Sequence, residues 1–167
     1  MITQELTDAL AQAQAALSGE TDWEILNSIP PPATRPELDG APAEYTDFLR
    51  DHDGVILGAL VILDTKFVAA AQNLIADGET DYPLGNADWY CIGKVNDHPV
   101  VVRRQDETVW TFPDMTTTWW ESEDFRQLSE NLGNFLLYYG LGPGYRQLTA
   151  VGPDEQWQRL LHHLGRA

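Results

Sequence analysis

Between Trp89 and Phe112 the chain carries three short β-prone runs, Trp89–Val95, 99–104 and 107–112. Asn96-Asp97-His98 and Gln105-Asp106 are polar turn candidates between them. Adjacent strands joined by turns this tight must run antiparallel, because a parallel crossover needs a dozen or more residues. The segment therefore predicts an antiparallel meander. Residues 116–120 (Thr-Thr-Thr-Trp-Trp) could add a short edge strand.

Amphipathic helices flank this block. Ile2, Leu6, Leu10, Ala13 and Leu17 recur at helical spacing before Gly19. Pro30-Pro31-Pro32 then excludes both helix and central strand, so an extended connector follows. Tyr45, Phe48 and Leu49 form the stripe of a second helix that starts at Pro42 and ends at Asp53-Gly54. Residues 55–63 are apolar without alternation, which predicts a strand buried on both faces that Gly58 can break into two pieces.

Asp64 or Thr65 can cap a further helix, with Phe67, Ala71, Leu74 and Ile75 as its buried stripe. Ser122 is the expected cap of a long helix whose stripe is Phe125, Leu128, Leu132, Phe135, Leu136 and Tyr139. The turn Gly140-Leu141-Gly142-Pro143-Gly144 stops it, and a last helix covers 153–164. Together these elements predict the α+β class: an antiparallel sheet of four to six strands with helices packed on one side. A single domain over 1–167 is expected, with a core at about 24–140 and added helices at 2–18 and 153–165.

Charge narrows the partners. Twenty-six acidic residues against ten basic ones give a formal net charge of −16. Such a surface repels nucleic-acid phosphates and anionic headgroups and attracts basic proteins, although acidity also serves solubility alone. Residues 1–5 lack the basic start of a signal peptide, and the apolar run at 55–63 falls well short of the roughly 20 residues that span a bilayer. The lone Cys91 excludes an intramolecular disulfide and sits in an apolar run, as an inert buried thiol would. A cytoplasmic location and neither a nucleic-acid nor a membrane partner are the expectations.

The stretch 41–54, Ala-Pro-Ala-Glu-Tyr45-Thr-Asp-Phe48-Leu49-Arg-Asp-His52-Asp-Gly54, resembles the opening signature of the SUKH superfamily: a Pro-x-x-Tyr-x-x-Phe-Leu helix closed by a His/Asn/Asp-Gly turn. The apolar run and helix that follow are similar to that family's order. So are Trp89-Tyr90-Cys91-Ile92-Gly93, a strand ending in Ile-Gly, and the hairpin through Val100-Val101-Val102 and Val109-Trp110-Thr111-Phe112. Residues 123–128, Glu-Asp-Phe-Arg-Gln-Leu, look like the start of its closing helix. The chain departs where the family often carries a Gly/Asn-rich turn and an acidic loop, having Asn96-Asp97-His98 instead. The resemblance implies a protein-binding fold without catalytic residues. In bacteria it implies an immunity protein that neutralises a cognate toxin, in some cases a nuclease; in fungi, a scaffold regulating cell-wall synthesis.

Catalytic and metal-binding patterns are missing from the sequence. His52, His98, His162 and His163 form no metal-ligand spacing, and no nucleophile elbow or phosphate-binding lysine loop occurs. Neither a cofactor nor a metal is expected. The leading reading is a non-enzymatic immunity protein, a monomer, that occludes a basic toxin domain. A regulatory scaffold unrelated to any toxin and an enzyme with an unrecognised site are the alternatives. Candidate contact residues are Asp77, Glu79 and Asp81 after the middle helix, Asp97, Asp106 and Glu107 in the hairpin turns, and Trp120, Glu121, Glu123 and Asp124. Of Trp119 and Trp120, one ring can enter the core while the other serves as an interface anchor, or both can be covered.

Overall fold

The computed structural model describes residues 2–19, 27–76 and 84–167. Its centre is a six-stranded antiparallel sheet in which spatial order repeats chain order: β1 (Val55–Leu57), β2 (Leu60–Ile62), β3 (Trp89–Val95), β4 (His98–Arg103), β5 (Val109–Thr111) and β6 (Arg126–Ser129). The helices are α1 (Gln4–Gly19), α2 (Ala43–Asp51), α3 (Val68–Ala76), α4 (Leu132–Phe135), α5 (Tyr145–Thr149) and α6 (Gln156–His163). A π-helical turn, Leu136–Gly140, continues α4. The expected α+β class and strand number hold.

One face of the sheet carries the main core. Tyr90, Ile92, Val100, Val102 and Val109 meet Leu6 and Leu10 of α1, Tyr45, Phe48 and Leu49 of α2, and Trp157, Leu160 and Leu161 of α6. The indole of Trp157 is fully buried, and its Nε1–H donates to the carbonyl of Gly140 at 2.7 Å. Alternation along the strands sends Cys91, Val101 and Phe112 to the opposite face, where they pack with Ile75, Leu84 and Trp119. Helix α3 lies against β3 and serves both clusters, Val68 entering the main core and Ile75 the smaller one.

Four local expectations need correction. The apolar run 55–63 does break at Gly58, which takes φ +62° and starts the turn of a hairpin of two three-residue strands, but it is not buried on both faces, since Ile56 is turned outward. Phe67, just before α3, and Leu74 on it are 54% and 52% exposed; the buried contacts come from Val68 and Ile75, with Ala71 half-buried. Asp64 does cap this segment, its carboxylate accepting from the amides of Lys66 and Phe67 at 3.0 and 2.9 Å.

Residues 116–120 form no strand; a turn leads into one turn of 3-10 helix, Trp119–Glu121. The long helix expected from Ser122 is replaced by β6 and a helix that begins only at Leu132, where Asn131 Oδ1 accepts from the amide of Asn134 at 2.7 Å. Phe125 packs into the smaller cluster and Leu128 against the main core. A single helical stripe points one way and cannot satisfy both, so tertiary packing overrides the spacing.

Candidate recognition groove

Asn96 and Asp97 form the turn between β3 and β4, with Asn96 in the left-handed region at φ +50°. The Asn96 amide donates to the carbonyl of Thr149 at 3.0 Å, which ties this turn to the end of α5. The next residue precedes a proline and is held extended, so His98 opens β4 rather than belonging to the turn. His98 is 6% exposed. Its Nδ1 lies 2.7 Å from the carbonyl oxygen of Phe112. A carbonyl only accepts, so Nδ1 carries the proton and the lone pair of the neutral ring resides on Nε2.

The opposite wall is the segment between β5 and the 3-10 turn. Asp114 Oδ1 accepts from the amide and hydroxyl of Thr116 at 2.9 and 2.5 Å, and these bonds hold its carboxyl below the usual carboxylate range. Thr118 donates its hydroxyl to Glu121 at 2.7 Å and closes the 3-10 turn. Trp119 is buried against Phe112, with ring centroids 5.8 Å apart. Trp120 stands edge-on to it at 5.9 Å and remains 50% exposed. Between the walls lies a groove of about 390 Å³, lined by residues 96–98 and 115–120.

The structure separates the candidate contact residues into two ends of the sheet. Asp97 and Trp120 line the groove, with Glu121 closing its wall. Glu123 is exposed, and Asp124 pairs with Arg126 at 3.4 Å. These five share one end because β6 starts opposite the end of β5, Arg126 facing Thr111.

Asp106 and Glu107 belong to the turn at the other end of β4 and are engaged internally. Asp106 pairs with Arg103 and accepts from the amide and hydroxyl of Thr108, which holds its carboxyl far below the usual range. Glu107 accepts from two backbone amides of α2. Asp77, Glu79 and Asp81 lie outside the described residues.

Residue typing had singled out Asp97 and Trp120 but not His98, which it placed in the turn. The usable signal was Pro99, which restricts the residue before it to extended backbone. Thr116, Thr117 and Thr118 gave no signal of their own. They reach the groove only through the register that places β5 beside β4.

The groove can accept hydrogen bonds at Nε2 of His98 and at Asp97, and it presents an aromatic face. Neither serine nor cysteine lines it. Cys91 lies elsewhere, buried beneath the smaller cluster, where desolvation pushes its thiol up to about 11. Among the described residues no three His, Cys, Asp or Glu side chains are grouped to hold a metal ion. Among them, too, no helix is long and apolar enough to cross a membrane. No family model matches this chain, and no curated protein or solved structure is significantly similar to it.

Proposed function

We propose that this chain is a non-enzymatic protein-binding domain that captures and occludes a basic protein, in the manner of a SUKH-type immunity protein acting on a cognate toxin. The observation that carries this reading is the half-exposed Trp120, set on a rigid sheet end among Asp97, Glu121, Glu123 and Asp124 in a chain of net charge −16. Aromatic anchors ringed by charge are a recurrent interface pattern, and complementary charge raises the rate of encounter. The Tyr45-Phe48-Leu49 helix with its Asp53-Gly54 turn, and the strand ending Ile92-Gly93, support the family reading.

The test is co-purification with the product of the neighbouring gene, together with protection of cells that express that product. Capture that weakens as salt screens the charges, and survival of the expressing cells, are the expected results. A neighbour that is neither bound nor toxic overturns the immunity reading.

A second reading is a regulatory scaffold with a cellular partner unrelated to any toxin. It is favoured by residues 123–128, which resemble the family's closing helix in sequence yet form a bend and the start of β6. Capture of a basic cellular protein, with no effect on toxin sensitivity, would select it.

A further inference from the structure

We propose that the groove beside His98 receives an arginine side chain of the basic partner; this rests on the protein-binding reading above. Three independent features converge on a planar cation that donates hydrogen bonds.

The first is an acceptor without a donor. His98 is more than nine-tenths buried, it lines the groove, and its Nδ1–H is committed to Phe112. Among the described residues Nε2 has no hydrogen-bond partner, and none of their buried side-chain N or O atoms goes unpaired, so Nε2 is open to solvent and free to take a donor. The second is charge. Asp97 is exposed at the mouth and no lysine or arginine lines the walls, so a cation entering here meets a carboxylate and no like charge. The third is the half-exposed Trp120, whose ring type binds cations best.

Guanidinium meets all three demands together. It is planar enough to stack on an indole while its fixed fork of N–H donors reaches separate acceptors, whereas an ammonium is a point charge held in a tighter hydration shell. At about 390 Å³ the space lies at the small end of ligand sites, a size for one long side chain rather than a folded element.

The test uses the full chain, ¹⁵N-labelled, titrated with Nα-acetyl-arginine amide, and with Nα-acetyl-citrulline amide and Nα-acetyl-lysine amide as comparisons. Saturable shifts are expected at the Trp120 indole N–H and the amides of residues 96–98 and 116–118. Affinity should be about tenfold lower for citrulline and for lysine, and about tenfold lower for arginine in Asp97→Asn and in Trp120→Ala. Both substitutions are at exposed positions, and the spectrum reports directly whether each variant folds.

Shifts spread evenly over the acidic surface, equal binding of citrulline or lysine, or unchanged affinity in both variants would each overturn the site. Measuring basic-partner capture on the same variants separates the two claims. Capture that survives both substitutions sinks the groove and leaves the binding reading standing. Arginine binding in the groove with no basic protein captured does the reverse.

Discussion

Glu107 accepts a hydrogen bond from the backbone amide of Glu44 at 3.0 Å, 63 positions earlier in the chain. Its other carboxylate oxygen accepts from the amide of Ala43 at 2.9 Å. Helix α2 starts after Pro42, which has no side chain able to cap, so a turn of the sheet supplies the cap instead. Glu44 in turn accepts from the amide of Leu132 at 2.8 Å and does the same for α4. Glu107→Ala should therefore lower stability by about 1 kcal/mol, the usual loss with an N-cap. Glu107→Gln should not recover the full loss, since it keeps one acceptor oxygen, turns an NH2 donor toward the other amide and gives up the charge at the positive helix end. Urea unfolding measures both, and partner binding should not change in either variant.

The turn between β1 and β2 is fixed by one hydroxyl. Tyr145 Oη accepts from the amide of Ala59 at 2.8 Å, and Asn27 Oδ1 accepts from the amide of Gly58 at 2.7 Å. Tyr145→Phe strands the Ala59 amide and should cost about 1–3 kcal/mol. Gly58→Ala should be at least as harmful. Left-handed backbone alone costs an L-residue about 1–2 kcal/mol. The new methyl would also meet Tyr145 Oη at 2.1 Å and Trp157 Cβ at 2.7 Å. Because Tyr145→Phe removes one of these clashes, the double variant should lose less than the two single losses added together. A sum that is fully additive would refute this coupling.

Where β2 ends, a side chain continues the ladder along β3. Gln72 of α3 accepts from the amide of Cys91 at 2.9 Å and donates to its carbonyl at 2.8 Å, as a neighbouring strand would. Gln72→Ala should cost about 1–3 kcal/mol by leaving both groups unpaired. Gln72→Glu should do no better, since its second oxygen would face the Cys91 carbonyl. Faster hydrogen exchange at the Cys91 amide in both variants is the direct readout.

Alkali should unfold the protein through its buried acids. Burial raises the Cys91 thiol from 9.0 to about 11, so between these values the folded chain keeps a proton that the unfolded chain has released. Stability therefore falls as pH rises through that window. Tyr45 and Tyr145 are raised from 10.0, each chiefly by burial, and extend the loss upward from pH 10. The thermal midpoint should decline steadily from pH 8 to 11, and Cys91→Ala should lessen the decline between 9 and 10. At pH 8 a thiol reagent should modify the native chain far more slowly than the urea-unfolded one.

The meander and helices α1, α2 and α6 were legible because each buries a single face at its own period: Leu6, Leu10, Ala13 and Leu17 on α1, or Val100 and Val102 against Val101 on β4. Residues 123–131 were misleading for the same reason. Phe125, Leu128 and Leu132 keep helical spacing, yet two of them pack on opposite sides of the sheet. Phe67 and Leu74 also satisfied the periodicity, yet both stay outside, because α3 turns Val68 and Ile75 inward. At the groove, Asp97 and Trp120 could be named from residue type and loop position. The pairing of His98 with the Phe112 carbonyl depends on strand register, which no local pattern specifies.

Spatial order that repeats chain order sets a sequence of assembly. Each strand of the meander meets the one made just before it, and short hairpins close in microseconds. The distant pairings come from the flanking helices: Asn27 donates to Gln156 across 129 positions, and Arg166 to Gln12 across 154. A ribosome can release the sheet zipped while one broad side still lacks its cover of α6. Until that helix docks, the Gly140 carbonyl lacks the indole N–H of Trp157 and the main core lacks Trp157, Leu160 and Leu161, so it stays open to whatever chaperone or sticky neighbour is close by. Slowing the last step should therefore harm yield before it harms the finished fold.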